Sequence, residues 1–143
     1  MKKYMFVLFI LAIACAFSVS AVMAADLETY DFDGKFTLEM EKGLDFNKST
    51  TDQGFVTYVA LKNNSAIGIM YVENEGINNE SIQEFYTNFE GEGYNNIGTD
   101  GNVTIFEKGG AYGTCTYKDG IIVFVVTQDK DVSLNAAKSI KFS

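Results

Sequence analysis

Hydrophobic patterning is strongest in the last third of the chain, where Ile121–Val126 is apolar without interruption. A strand that is apolar at every position needs cover on both of its faces. Asp119-Gly120 precedes this run, and the β-prone segment Ala111–Lys118 precedes the dipeptide. Asp-Gly favours a type I′ turn, because both central residues of that turn need positive φ. The pattern therefore predicts a hairpin with Ile121–Gln128 at the centre of a sheet.

Alternating apolar and polar residues predict another hairpin over Glu28–Met40. A three-residue loop at Asp33-Gly34-Lys35 would place Phe32 opposite Phe36. A two-residue loop would instead put the apolar residues of the two strands on opposite faces. We therefore expect the three-residue loop, and we expect the polar stretch Glu41–Gln53 to be mainly loop.

Gly54–Lys62 and Ser65–Glu73 form a further predicted hairpin around Asn63-Asn64, since Asn tolerates the left-handed backbone of a tight turn. Both predicted faces are apolar, which favours a position inside the sheet. One face carries Val56, Tyr58, Ala60, Ile67, Ile69 and Tyr71, and the other carries Phe55, Val59, Leu61, Met70 and Val72.

A meander is predicted at the C-terminal end of the sheet. Val103–Lys108 leads through Gly109-Gly110 into the strand that precedes Asp119-Gly120. Two-residue loops at both turns would place Phe106 opposite Gly113, and Cys115 opposite Phe124. The thiol of Cys115 is therefore expected on an apolar face.

Two stretches have helical rather than alternating periodicity. The first, 81–91, begins with Ser81-Ile82-Gln83-Glu84 and ends near Gly91. These four residues fit a capping box in which Ser81 is the N-cap and Glu84 reaches back to it. The loop Asn74–Asn79 precedes this stretch. The second is 131–140, and either Asp129 or Asp131 could cap it. The apolar residues on the predicted inner faces are Ile82, Phe85, Tyr86, Phe89, Val132, Ala136 and Ile140.

These elements predict an α+β fold in which an antiparallel sheet of about six to seven strands is packed by two helices. The composition narrows the range of functions that such a fold could have. The net charge is −8, and the chain contains no His, Arg or Pro. Nucleic-acid binding requires clustered positive charge, so the composition argues against a nucleic-acid partner.

The N-terminus has the pattern of an export signal. Lys2 and Lys3 precede an uncharged run, and small residues around Ala24 and Ala25 precede Asp26. We expect 1–25 to be a cleaved signal peptide and 26–143 to be a single domain. A retained membrane anchor and lipidation at Cys15 are alternatives.

No constellation of residues in the mature chain indicates a reaction. Cys115 would be the only thiol left, so no intramolecular disulfide can form, and without His it lacks the usual activating base. The acid pairs Asp31/Asp33 and Asp129/Asp131 fit turns and helix caps better than a calcium loop. Paired carboxylates of the glycosidase type could exist, but no two acids stand out. We therefore expect no catalytic residue, metal or cofactor.

Asn47, Asn63, Asn79 and Asn102 each begin an Asn-x-Ser/Thr sequon. In an exported protein these are potential acceptors of N-linked glycans. Asn63 is the best placed of the four by sequence, because a hairpin turn is exposed.

The order hairpin, hairpin, helix, meander, helix, with Phe32–Met40 near its start and 136–142 at its end, resembles small exported domains of the PsbP/Mog1-like type. The closing Ser-Ile-Lys-Phe is similar to the final helix and last short strand of those domains. This resemblance implies that the chain forms an antiparallel sheet packed by helices and has a binding or assembly role. The abundance of Asn, Ile and Lys also resembles small archaeal surface proteins.

Together these observations predict a secreted or cell-surface domain that binds an unidentified partner or assists envelope assembly without catalysing a reaction. The alternative is an extracellular hydrolase that uses carboxylates. Membrane association is expected only if the N-terminal segment is retained. A ligand would be sought at loops and exposed edges such as Glu41–Gln53 and Asn74–Asn79.

Overall fold

The computed structural model describes residues 27–50, 54–62, 65–74 and 76–143. The predicted signal segment 1–25 and the Asn63-Asn64 turn lie outside these residues. The helices are α1 (Asn79–Gly91) and α2 (Lys130–Lys138). The strands are β1 (Leu27–Phe32), β2 (Phe36–Glu41), β3 (Asn47–Thr50), β4 (Val56–Lys62), β5 (Ser65–Glu73), β6 (Asn95–Asp100), β7 (Val103–Lys108), β8 (Ala111–Lys118), β9 (Ile121–Thr127) and β10 (Lys141–Phe142).

The described strands form two antiparallel sheets. The larger has seven strands in the order β3-β4-β5-β9-β8-β7-β6, and the smaller has three in the order β1-β2-β10. The predicted α+β fold, with a sheet of this size and two helices, is confirmed. The first hairpin, however, lies in a separate sheet that the sequence did not predict.

Strand β9 is the middle strand of the larger sheet, as predicted, and all of its residues are buried. Its side chains alternate between two cores. Ile122, Phe124 and Val126 pack in the core beneath α1. Ile121, Val123 and Val125 pack against the smaller sheet and α2. The uninterrupted apolar run is thus explained by cover on both faces, in three layers.

The predicted turns are present where the structure describes them. Phe32 pairs with Phe36 across a three-residue loop. Asp119 and Gly120 have φ of 50° and 84°, as a type I′ turn requires. The positive φ of Asp119 is tolerated because a short polar side chain fits the left-handed region.

Register predictions for the larger sheet are confirmed as well. Phe106 pairs with Gly113, and Cys115 pairs with Phe124. In the β4–β5 hairpin, Tyr58 pairs with Ile69 on the face that packs against the smaller sheet. Leu61, which belongs to the other predicted apolar face, is 64% exposed, because it lies near the hairpin end.

Two edge strands were not predicted. Strand β3 lies inside Glu41–Gln53, where we expected mainly loop, and β6 follows α1 in a stretch assigned to no element. Every residue of both strands is exposed. Exposed edges need no apolar alternation, so hydrophobic patterning carries no signal for them.

Helix α1 begins two residues earlier than predicted. Its N-cap is Asn78, whose side chain accepts hydrogen bonds from the backbone N–H groups of Glu80 and Ser81. The prediction that Ser81 is the N-cap is therefore wrong, and Ser81 instead supplies the reciprocal contact of the capping box. Asn is as good an N-cap as Ser, so either residue satisfied the sequence pattern. The buried side chains on the inner face are Ile82, Phe85 and Phe89.

Helix α2 is capped by Asp129, one of the two acids proposed for that position. It ends at Lys138, two residues before the predicted end, and Ile140 packs against the core from the link that follows. The chain then forms β10, which pairs with β2. Neither helix of the described residues is long and apolar enough to cross a bilayer.

Candidate functional site

A cleft of about 490 Å³ opens between the N-terminal half of α1 and the edge of the larger sheet. Ile82 and Tyr86 line it from α1, Thr104 from β7 and Tyr117 from β8. Ile82 and Thr104 are buried, while the two tyrosines are half-buried. The floor of the cleft thus consists of apolar side-chain surface with the hydroxyl groups of Thr104 and the two tyrosines.

Tyr86 holds the floor in place. Its hydroxyl donates a hydrogen bond to Oγ1 of Thr104 over 3.0 Å, and its ring packs 5.3 Å from that of Phe106. Burial, reinforced by the neighbouring Cys115 thiol, raises the pKa of Tyr86 to about 12. The hydroxyl therefore stays protonated and neutral at physiological pH.

Tyr117 ties the sheet to the loop before α1. Its hydroxyl donates to the backbone carbonyl of Ile77 over 3.1 Å. That loop leads directly into the Asn78 cap, so this bond helps to fix where α1 begins. The position of α1 at the cleft is therefore set by the Tyr117 bond before the cap and by the Tyr86 bond after it.

The opposite wall depends on a β-bulge in β6. Asn96 pairs with Phe106, but the next pair is Gly98 with Ile105, which leaves Ile97 as an extra residue. Thr99 then pairs with Thr104. Side chains of paired residues share a face, so Asn96 and Thr99 both point towards α1, although alternation without a bulge would separate them. The bulge brings both side chains to the cleft.

Three amides complete the rim. Asn79 and Gln83 lie one helical turn apart on α1, and Asn102 lies in the turn between β6 and β7. None of the residues described as lining the cleft is acidic or basic. Amides and hydroxyls both donate and accept hydrogen bonds. The cleft is therefore suited to a neutral ligand with many hydroxyl or amide groups.

A second polar cluster lies at the tip of the β1–β2 hairpin, which we call the Asp33 clasp. The carboxylate of Asp33 accepts hydrogen bonds from the hydroxyls of Tyr71 and Tyr58 over 2.5 Å and 2.7 Å, and from Nζ of Lys48 over 3.0 Å. Burial alone would raise the pKa of this carboxyl. The three hydrogen bonds outweigh burial and lower the pKa of Asp33 to about 2.

The clasp joins the two sheets. Asp33 belongs to the smaller sheet's hairpin, while its partners lie on β3, β4 and β5 of the larger sheet. An ion pair between Lys35 and Glu73, 2.7 Å apart, connects the same elements. Burial and the bond to Asp33 raise the pKa of both Tyr58 and Tyr71 above the ordinary value of 10.0. The negative charge of Asp33 is neutralised by Lys48 and hydrogen-bonded by both tyrosines. We therefore interpret the clasp as structural.

The acid pairs and the cysteine singled out by sequence lie on separate elements. Asp31 accepts a hydrogen bond from the backbone of Gly34 and Asp129 caps α2, so one acid of each pair has the predicted turn or cap role. Cys115 is buried, as predicted, and burial raises the pKa of its thiol to about 12. Within the described ranges, no three His, Cys, Asp or Glu side chains gather as metal ligands would.

The cleft itself was missed by sequence reasoning, although Asn79 belongs to the loop Asn74–Asn79 where a ligand was sought. Of the four sequon asparagines, Asn79 and Asn102 line the cleft, Asn47 is exposed on β3, and Asn63 lies outside the described residues. A local signal existed only in the Asn-rich composition of β6. The bulge that directs those side chains has no signature in the apolar pattern.

No family model, curated protein or solved structure matches this chain. The resemblance to PsbP/Mog1-like domains therefore stays a prediction.

Proposed function

We propose that this chain is an exported, non-enzymatic domain of the cell envelope that binds a neutral, hydroxyl-rich ligand, of the saccharide class, in the cleft between α1 and the β6–β7 edge. The observation that carries this proposal is the lining of the cleft: amide and hydroxyl side chains and two tyrosines, with no charged residue among those described.

Such a lining matches the chemistry of a neutral sugar. Each hydroxyl of a sugar is both donor and acceptor, as are the rim amides of Asn79, Gln83 and Asn102. The half-buried rings of Tyr86 and Tyr117 add apolar surface on the floor, and aromatic rings with a polar tip suit ligands that are partly apolar. Anionic ligands would find no compensating cation in the described lining, in a protein of net charge −8.

Export and a role at the envelope are supported by the signal-like pattern of 1–25 and by the acidic composition. A domain outside the cell meets saccharides on its own and neighbouring surfaces. The shape of the site adds a second argument, because the cleft is large enough for one or two sugar rings at the usual volume of small-molecule sites.

The hydrolase alternative requires a carboxylic acid with a raised pKa facing a second carboxylate. The cleft contributes no acid from the described residues. Asp33 has its pKa lowered to about 2, which is opposite to what a general acid needs at neutral pH. These observations favour binding over hydrolysis.

Isothermal titration of the purified protein with a panel of neutral oligosaccharides, alongside uronic-acid oligomers, tests the proposal. We expect binding of a neutral member. Gln83→Ala and Asn102→Ala should each weaken it by about five-fold, the effect of one hydrogen bond of about 1 kcal/mol. Asn135→Ala, an exposed amide on α2, is the matched control. Preference for uronic acids, absence of binding, or equal loss in the control would contradict the proposal. Release of reducing ends during the titration would favour the hydrolase.

A further inference from the structure

The three sequons in the described residues are structurally unequal. Transfer of a glycan to Asn requires the enzyme to reach the Ser or Thr two positions later as well as the amide. In the sequon of Asn102, Thr104 is only 6% exposed and its hydroxyl accepts the hydrogen bond of Tyr86. The amide of Asn102 is accessible, but its hydroxyl partner is not.

The sequon of Asn79 is held in a helix. Asn79 is the first residue of α1, and Ser81 takes part in the capping box with Asn78. The backbone N–H of Ser81 donates to Oδ1 of Asn78 over 3.1 Å. Presenting this tripeptide to an enzyme would require the first turn of α1 to unwind and lose its cap.

Asn47-Lys48-Ser49 differs in both respects. All three residues are exposed and extended on β3, a four-residue strand at the edge of the larger sheet. An exposed edge strand is among the segments that open most easily from a folded protein. Opening β3 breaks its pairing with β4 and the exposed bond of Lys48 to Asp33, but it uncovers no buried side chain of β3. This tripeptide therefore offers its amide and its hydroxyl together at a smaller cost than the other two sequons.

We propose that Asn47 is the site, among these three, at which the folded chain accepts an N-linked glycan, while Asn79 and Asn102 stay unmodified. In the reaction, the amide nitrogen of Asn47 attacks the anomeric carbon of a lipid-linked oligosaccharide. A C–N bond forms, and the C–O bond to the lipid phosphate or pyrophosphate breaks with its electron pair leaving on the phosphate oxygen. The amide loses one proton, which a base of the transferase or the departing phosphate takes up. A separate oligosaccharyltransferase catalyses the transfer.

Glycosylation with this selectivity has two consequences. A glycan on β3 covers one open edge of the seven-stranded sheet, where unpaired backbone groups would otherwise invite pairing with another chain. Modification of Asn79 or Asn102 would fill the cleft with the protein's own glycan. The inference rests on the exported location in the proposed function, since lipid-linked donors act outside the cytoplasm, but it does not depend on what the cleft binds.

The test uses the folded full-length chain carrying Asn63→Gln. Glycan attachment can then occur only at the sequons of Asn47, Asn79 and Asn102. It is incubated with a purified oligosaccharyltransferase and its lipid-linked donor, and site occupancy is read by peptide mass spectrometry. The enzyme chosen must first glycosylate short peptides spanning each of the three sequons. We expect occupancy of Asn47 to exceed that of Asn79 and of Asn102 by about ten-fold or more, because the latter two require local unfolding.

Two variants sharpen the result. Ser49→Ala should abolish modification of Asn47, whereas the adjacent Thr50→Ala should leave it intact. Comparable occupancy at Asn79 or Asn102, or an unmodified Asn47 in the folded chain, would overturn the inference. Failure of saccharide binding would leave this outcome unchanged, so the two proposals can fail independently.

Discussion

At the residue scale, Asp33 shows how one carboxylate can connect two sheets. Its partners Tyr58 and Tyr71 were assigned by sequence to the face that now packs against the smaller sheet, and Asp33 was assigned to the hairpin loop. Each assignment is confirmed. Their meeting depends on how the hairpin lies across the larger sheet, which is a tertiary relation that no local pattern encodes.

Asp33→Asn tests the clasp. Asn tolerates the φ of 58° at this position, so the change removes charge while keeping the turn. Burial raises the pKa of Tyr58 and Tyr71, and the bonds to the Asp33 carboxylate raise it further. The stability linked to these shifts is present below pH 10.0 and is lost as pH rises through the folded-state pKa of each tyrosine. Only the part due to Asp33 is removed by the substitution. In the variant, both tyrosines should ionise closer to pH 10.0, as measured by absorbance during alkaline titration.

At acid pH, the stability that the clasp contributes depends on pH in the opposite direction. Because the pKa of Asp33 falls from 3.8 to about 2 on folding, its contribution is present above pH 3.8 and is lost as pH drops towards 2. The stability difference between the native sequence and Asp33→Asn should narrow over that window, as followed by urea unfolding. Asp45→Asn, on an exposed carboxylate, serves as the control. Equal behaviour of the two variants would contradict the clasp.

At the element scale, the N-cap of α1 differs from the one that the sequence pattern predicts. Ser81-Ile82-Gln83-Glu84 fits a capping box, yet Asn78 is the residue whose side chain accepts the first-turn N–H groups. We expect Asn78→Ala to lower the free energy of unfolding by about 1 kcal/mol. Ser81→Ala should cost less, because its N–H still reaches Asn78. Chemical denaturation of both variants measures this order, and a larger loss for Ser81→Ala would restore the sequence-based assignment.

The β6 bulge depends on glycine. Gly98 has a φ of +129°, a conformation that other residues rarely adopt, and a Cβ placed there would meet no neighbouring atom. The cost of Gly98→Ala is therefore conformational, and we expect about 1 kcal/mol of lost stability. Gly91→Ala, at the end of α1 and equally free of steric contact, should be neutral or stabilising. Equal urea midpoints for the two variants would mean that the bulge conformation carries no strain.

Central elements were predictable because burial enforces periodicity. Strand β9 is buried at every position and was located from its uninterrupted apolar run beside the Asp119-Gly120 turn. The inner face of α1 buries side chains at helical spacing, and the helix was located from that spacing together with a capping pattern. Strands β3 and β6 bury no side chain, so they leave no such trace. The candidate cleft borders β6, which explains why the fold was largely readable from sequence while the site was not.

At the scale of the whole molecule, the larger sheet separates the core beneath α1 from the core that faces the smaller sheet, and these two cores share no side chain. Ile122 and Phe124 belong to one core and its neighbour Val123 to the other. The apolar pattern predicted that both faces of the sheet are covered, but not that the first hairpin and β10 form part of the cover. That arrangement depends on the association of distant segments, which local periodicity does not specify.

Cys115 provides a probe of how cooperatively these layers open. It lies beneath α1 on β8, is 1% exposed, and has its pKa raised to about 12 by burial. In a Cys15→Ser variant it is the only thiol, so alkylation reports opening of the α1 core alone. We expect labelling at least about a thousand-fold slower than in the urea-unfolded chain, since the thiol becomes reactive only in the rare open state.

Destabilising variants decide whether that opening is global. If α1 separates only when the whole domain unfolds, Asn78→Ala should speed labelling of Cys115 by about five-fold, the factor that corresponds to 1 kcal/mol. Asp33→Asn acts on the opposite face of the sheet, yet it should speed labelling in proportion to its own loss of stability. Labelling that responds to Asn78→Ala but not to Asp33→Asn would show that α1 opens by itself, and that the two cores unfold separately.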